Sequence, residues 1–167
     1  MLIVAALGGN ALVRRGQRPE AEIQRRNIGA AARHIAEIAQ QHQLLITHGN
    51  GPQIGLLALE AEAYKEVHPY PLDMLGAESQ GLLGYILQES LSGLLPNKTI
   101  AALLTRVAVD ESDPAFSSPK KPIGPVYTKE EGRRVEKERG WKVAPDGLWW
   151  RRVVASPEPK TILDLYS

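Results

Sequence analysis

The chain contains no cysteine among its 167 residues. Disulfides and thiolate metal sites are therefore excluded, and a reducing compartment is the natural setting. It has almost no excess of charge of either sign: 20 lysines and arginines face 19 aspartates and glutamates, a formal net charge of +1. Acids and bases are interleaved, so there is no electrostatic case for nucleic acid or an anionic membrane surface. Aromatic residues make up only 5% of the chain. No apolar run is long enough to cross a bilayer. The opening "MLIVAALGGN" is too short for a span and lacks a basic leader, so neither a signal peptide nor an anchor is expected. The nucleotide signatures GxxxxGK[ST] and GxGxxG are both missing.

What remains is an ordinary soluble composition, 43% apolar and 23% charged. A domain of this size buries roughly 70% of its unfolded surface, enough for a real core. The expectation is a soluble, cytoplasmic protein.

Along the chain, Leu2–Leu7 is a short apolar run that reads as a strand buried on both faces. A polar loop follows. Pro19 then precedes a long helical pattern whose apolar stripe is read as Ile28, Ala31, Ile35, Ile38 and His42. Leu44–Thr47 is a second strand, which makes a βαβ unit with parallel strands and a right-handed crossover. Helices are expected at about Gln53–Lys65 and Leu72–Ser92, separated by the proline-containing "HPYPLD", the second ending near Gly93. Lys98–Asp110 reads as a third strand, and "ESDPAFSSPKKPIGP" as an irregular loop. Lys129–Arg139 reads as a short charged helix. "WKVAPDGLWWRRVVASP" reads as a β-hairpin around Pro145-Asp146-Gly147 that holds all three tryptophans. The closing "KTILDLYS" resembles the start of a helix. Residues 1–119 are assigned to the main α/β body, 120–154 to a protruding subdomain, and 155–167 to re-entry into the body.

Two glycine–asparagine turns stand out. "LGGNAL" and "THGNGPQIG" each follow a strand, at the carboxyl ends where ligands bind in a parallel α/β sheet. Glycine permits positive φ and close approach of the backbone to a ligand. Successive N–H groups in such a turn form an anion-binding concavity, and asparagine adds a donor and an acceptor. Two such turns can hold two anionic groups side by side, as phosphoryl transfer requires. On residues alone the reading stops at an anion-binding α/β domain, because Gly-Gly and Asn-Gly are also common turn residues.

The blocks "ALGGNAL", "THGNGPQIG", "YPLDMLGAESQGLLGY", "DPAF", "KKPIGPVY" and "RRVVASPEP" occur in this order and resemble the N-terminal half of the carbamate kinase family, within the amino-acid-kinase fold. The resemblance implies a three-layer α/β/α sandwich, here its N-terminal half, with a small protruding β-hairpin subdomain. It implies reversible phosphoryl transfer between carbamoyl phosphate and ADP, giving ATP and carbamate, with ATP/ADP and Mg as co-substrates and a place in arginine or purine nitrogen catabolism. By the same resemblance Gly8, Gly9 and Asn10 bind beside the transferred phosphoryl group, and Gly49, Asn50 and Gly51 bind on the carbamate side. Lys121, with Gly9 and Asn10, is catalytic; its ammonium neutralises phosphoryl charge in transit, with Lys120 as the competing assignment. On spacing alone Asp73 and Glu78 could be metal ligands, but the resemblance supplies no direct metal ligand here and none is assigned. Asp73 is read as a helix cap rather than a ligand, and Glu78 has the spacing but no family counterpart. His48 is read as structural or orienting, since an anionic carbamate needs no general base. His34, His42 and His68 are read as surface or packing residues. Ser156-Pro157 either touches phosphate or only makes a turn. Arg151-Arg152 either attracts phosphate or alternates on an exposed hairpin. "KEEGRRVEKERG" is read as a solvated helix face.

The family's nucleotide-binding half has no counterpart in this sequence, so no nucleotide-binding residue is assigned and none is expected to be bound by this half alone. Three readings stay open: a fragment or truncated frame, one piece of a split enzyme, or an inactive remnant that acts only by binding a partner. The partners implied are carbamate or carbamoyl phosphate and either a second copy in a homodimer or the missing C-terminal half, with no nucleic acid and no membrane.

Overall fold

The computed structural model describes residues 1–14 and 16–162; of Asn10, Pro125 and Ile162 only the backbone is described. Two compact units emerge, one from residues 1–56 and 70–104, the other from 57–69 and 105 onward. Among the described residues no helix is long and apolar enough to cross a membrane.

The first unit is built on strands β1, Leu2–Leu7, and β2, Gln43–His48, which pair in parallel. The connection between them contains a single helical turn, α1, Gly9–Leu12, and the long helix α2, Ala21–Gln41. Helix α3, Gly51–Ala63, begins in this unit, and α4, Leu72–Ser92, lies within it. This is the expected α/β arrangement, with the expected βαβ start and the second long helix at its expected bounds.

Both strands alternate. Ile3, Ala5, Leu7, Leu44 and Ile46 are partly buried, whereas Leu2 (65% exposed), Val4 (60%) and Leu45 (45%) face outward. The expectation of a strand covered on both faces is thus corrected. Helices α2 and α4 cover one side only, packing through Ile28, Ala32, Ile35, Ala36, Ala39, Leu83, Ile86, Leu87 and Leu91. The buried stripe of α2 also lies slightly out of the expected phase. It runs through Gln24, Asn27, Ile28, Ala32, Ile35, Ala36 and Ala39, leaving Ile38 exposed, because the side facing α4 and the turns takes the small and amide-bearing residues.

The third expected strand is largely absent. Only Val107–Val109 is a strand, β3, and residues 99–106 run without a ladder. A strand exists by virtue of its neighbour, and no described strand lies beside this segment; Leu103 and Leu104 are exposed. Ala102 within the segment nonetheless presses on α4. A Cβ added at Gly84 would come within 2.9 Å of the Ala102 Cβ, so glycine is required there for close approach.

In the second unit β3 pairs antiparallel with β7, Pro159–Ile162. The strand replaces the helix start expected from "KTIL"; the remainder of that stretch lies outside the described residues. Asp110 anchors this pair, with the Lys160 ammonium 2.7 Å from its carboxylate and Ser112 donating from both its hydroxyl and its backbone N–H. The short helix α5, Pro114–Ser117, is capped by Asp113, which accepts from the Ala115 N–H at 2.8 Å.

The expected Pro-rich loop is therefore structured, and its end is a strand, β4, Lys121–Tyr127. Strand β4 pairs with β6, Trp149–Val154, which also pairs with β5, Val143–Asp146, giving the order β4-β6-β5. Between β4 and β5 lies α6, Lys129–Arg139, mostly exposed as expected and started by a reciprocal Thr128–Glu131 capping box. Trp149 and Trp150 are on β6, but Trp141 precedes β5 rather than lying in a strand.

Candidate functional site

The parallel register sets the geometry of the two turns. Leu7 lies opposite His48, so the first residue beyond β1 is Gly8 and the first beyond β2 is Gly49. Neighbouring strands lie about 4.8 Å apart. The two glycine–asparagine turns therefore leave the sheet side by side at its carboxyl end, the place expected from the sequence.

Their backbone conformation was not foreseen. Gly8 has φ −69° and ψ 164°, and the positive-φ glycines are Gly16, Gly124, Gly140 and Gly147, none of them in either turn. Nor is glycine needed for packing. A Cβ built on Gly8, Gly9, Gly49 or Gly51 would meet no atom within 4 Å. The backbone of both turns is thus open to close approach by a ligand, as is the backbone at Gly29, Gly55 and Gly81 on the helices.

Behind the first turn, Ala11 N–H donates to the Gly8 carbonyl at 2.9 Å and Val13 N–H to Gly9 at 2.8 Å, closing α1. Behind the second, Ile54 N–H donates to the Asn50 carbonyl at 2.9 Å, so Asn50 is the residue on which α3 begins. Its side chain does not cap the helix. The Asn50 amide donates instead to the Ser79 hydroxyl at 2.6 Å, and that hydroxyl donates to the Gly76 carbonyl at 2.7 Å. Pro52 in the first turn of α3 has no N–H to satisfy, which suits it to that position. His48 ends β2 with its Nδ1 3.2 Å from the Gly49 carbonyl, a bond it makes as a donor.

Buried amides surround the turns. Asn27 donates to the Leu12 carbonyl at 3.1 Å and to the Gln17 side chain at 2.7 Å. Gln24 donates to the Pro19 carbonyl at 2.7 Å and accepts from Gln53 at 2.9 Å. The sequence reading missed Gln24, Asn27, Gln53 and Ser79. The available signal was polar residues at positions where the helical stripe should have been apolar.

Other candidates fall elsewhere. Lys121 is the first residue of β4 in the second unit, exposed and opposite Val154; Lys120 stands just before the strand. Asp73 does not cap α4. Pro71 occupies that position, and Asp73 lies in the first turn, where a negative charge suits the helix dipole. Glu78, His34 and His68 are exposed. Among the described residues no group of three or more His, Asp or Glu could hold a metal ion. The Arg151 guanidinium donates to the Gly124 carbonyl at 2.8 Å, where β4 bulges, and pairs with Asp146. Arg152 is partly buried with its guanidinium 4.0 Å from the centre of the Trp141 ring, so it is more than an exposed hairpin residue. Burial pulls its pKa below the usual arginine value. Beside it the Tyr127 hydroxyl donates to Glu62 at 3.3 Å, and burial together with that carboxylate raises the phenol to about 12.

The sequence profile of the amino acid kinase family matches residues 1–133. The chain is 55% identical over 166 residues to the carbamate kinase of Haemophilus influenzae, covering 99% of this chain and 54% of that protein. It is 53% identical to the Escherichia coli carbamate kinase over 97% of this chain and 54% of that one. It thus spans about half the length of the curated relatives it matches. Among solved structures, a protein of Aeropyrum pernix superposes with a TM-score of 0.91 at 38% identity, over 98% of this chain and 55% of that one. The Giardia lamblia carbamate kinase bound to AMP-PNP superposes with a TM-score of 0.85 at 33% identity, covering 98% and 54%. The adjacent glycine turns, the α/β architecture and these relatives agree: the chain belongs to the amino acid kinase family.

Proposed function

We propose that this chain provides the carbamate and phosphoryl side of a carbamate kinase-type phosphotransferase site. The reaction is reversible phosphoryl transfer between carbamoyl phosphate and ADP, giving ATP and carbamate. Gly8, Gly9 and Asn10 receive the transferred phosphoryl group and Gly49, Asn50 and Gly51 the carbamate end. Lys121 supplies a compact positive charge to the phosphoryl oxygens in transit. Mg-ATP and ADP enter as co-substrates, held by the length of sequence that the relatives have and this chain does not match. The cytoplasm is the compartment, and the partner is either that second half or another copy.

The observation that carries this reading is the pair of turns placed side by side by the Leu7–His48 register, whose four glycines meet no packing demand of the chain. No general base is required, because the carbamate oxygen that attacks is already anionic. Catalysis then rests on positioning and charge neutralisation. Those terms need walls on the nucleotide side, so the chain alone binds but does not turn over.

A second reading is that the chain acts only by binding a partner. The exposed apolar face of Leu2, Val4 and Leu45 favours it. Titration of carbamoyl phosphate into the isotope-labelled chain tests the site. The backbone amides of Gly8, Gly9, Gly49 and Gly51 are expected to shift together, and Gly9→Val to abolish the response. Shifts confined to surface lysines, or unchanged by Gly9→Val, contradict it.

A further inference from the structure

We infer that the buried side-chain amides of Gln24, Asn27 and Gln53 form a brace that fixes the distance between the two glycine turns, making these three positioning residues for the substrate site. The inference rests on the turns being that site and assigns what holds them in register beyond the strand ends.

Gln24 and Asn27 are three apart on α2 and so share one face of the helix. Both are buried, 3% and 6% exposed, as is Gln53 at 1%. Asn27 reaches the first turn's helix directly, donating to the Leu12 carbonyl at the end of α1, and its other amide hydrogen goes to Gln17. Gln17 in turn accepts from the Arg14 N–H at 2.9 Å, closing the loop that follows α1. Gln24 reaches in the other direction, to Gln53 in the first turns of α3. The path from Leu12 through α2 to Gln53 therefore crosses one side-chain hydrogen bond on each flank of a 21-residue helix.

Orientation along this path is determined. The Pro19 carbonyl can only accept, so the Gln24 NH2 must face it, and the Gln24 oxygen must then face the Gln53 NH2. The Gln53 oxygen ends the relay and has no partner among the described residues. A buried amide left partly unsatisfied is costly for an ordinary helix residue. Leucine at 24 and 53 would pack the same interface without that cost, which argues that directional bonding is what the position uses. Ser79, fully buried, secures the second turn from α4 in the same way through Asn50.

The test substitutes the far end of the brace and reads the near end. In Gln53→Met the backbone amide resonances of Gly8–Leu12, joined to Gln53 by side-chain hydrogen bonds through α2, are expected to move together with those of Gln24 and Asn27 in the unliganded chain. Binding of carbamoyl phosphate should weaken by about tenfold, because the ligand must then hold the two turns at one spacing itself. In Gln53→Glu those resonances should return toward the wild-type positions as acidification protonates the carboxyl, which can then donate to Gln24. Shifts confined to α3, with Gly8–Leu12 unmoved in a variant of native circular dichroism, would overturn the brace. Should Gln53→Met fail to fold, the wild-type side-chain NH2 protons of Gln24 and Gln53 decide: slow exchange with water supports the brace, and fast exchange sinks it. The resonance arm needs no ligand. A braced chain that ignores carbamoyl phosphate rejects the proposed function and keeps the inference, and a binding chain with no coupling does the reverse.

Discussion

At the scale of single residues, the site glycines and the charged side chains of the second unit obey different physics. Gly8, Gly9, Gly49 and Gly51 have ordinary dihedrals and open space where a side chain would be. Substituting them should therefore cost little stability and much binding. For Gly9→Ala the unfolding free energy is expected to stay level or rise by up to about 1 kcal/mol, because alanine fits this backbone and has less freedom to lose on folding. Urea unfolding checks this beside a carbamoyl phosphate titration that should fail. Tyr127 is the opposite case, a group whose environment dictates its proton. Burial, then the adjacent Glu62 carboxylate, favour the neutral phenol and raise it to about 12. Because the folded-state value is raised above the ordinary 10, this contribution to stability is complete below pH 10 and fades as the pH rises toward 12. Absorbance titration should find one of the five tyrosines ionising near 12. In Glu62→Gln that value should fall toward 10 while remaining above it, since burial persists.

At the scale of elements, Gly84 and Asp110 carry the clearest consequences. Ala102 lies so close to α4 that Gly84→Ala must push it aside, an overpacking cost of about 1–3 kcal/mol that denaturant unfolding would detect. Asp110, just after β3, is tied to β7 through Lys160, and Lys160 together with Ser112 lowers its carboxyl to about 2. The folded value is depressed, so the contribution is present above pH 4 and is lost as the pH falls through 2. A carboxyl-carbon resonance titration should show that midpoint, and Lys160→Met should raise it toward 4.

The same scale shows what was legible in the sequence. Helices with clear bounds were plain: "HPYPLD" and Gly93 set off α4, and the charged run Lys129–Arg139 is α6. The βαβ start was legible because two apolar runs flank one amphipathic stretch. The third strand was not, because "TIAALLTRVAVD" carries the composition of a strand, while a ladder also needs a neighbour, and only 107–109 has one. Lys121 was read in a loop because the nearby prolines argue against a strand, yet β4 accommodates two of them, Pro122 and Pro125, beside its bulge at Gly124. The turns were legible as turns. The amides of Gln24, Asn27 and Gln53 behind them were not, since a polar residue on a helix is ordinarily assigned to its wet side.

At the scale of the whole molecule, the governing fact is a sheet with one face covered. Leu2, Val4 and Leu45 expose an apolar surface of the kind parallel strands normally bury. We propose that this face meets the partner, either the second half of the kinase or another copy of the chain. Leu45→Glu should accordingly leave the isolated chain's circular dichroism and unfolding midpoint nearly unchanged, the residue being exposed. Association, read by analytical ultracentrifugation, should be lost. Retained association with Leu45→Glu would place the interface elsewhere.

The most direct test of the central claim mixes this chain with the separately expressed second half of a carbamate kinase relative and measures ATP formed from carbamoyl phosphate and Mg-ADP. The account predicts no ATP from either piece alone, ATP from the mixture, and loss of that activity with Lys121→Ala. A mixture that assembles into a stable complex yet makes no ATP, or ATP made by this chain with no partner present, would contradict it.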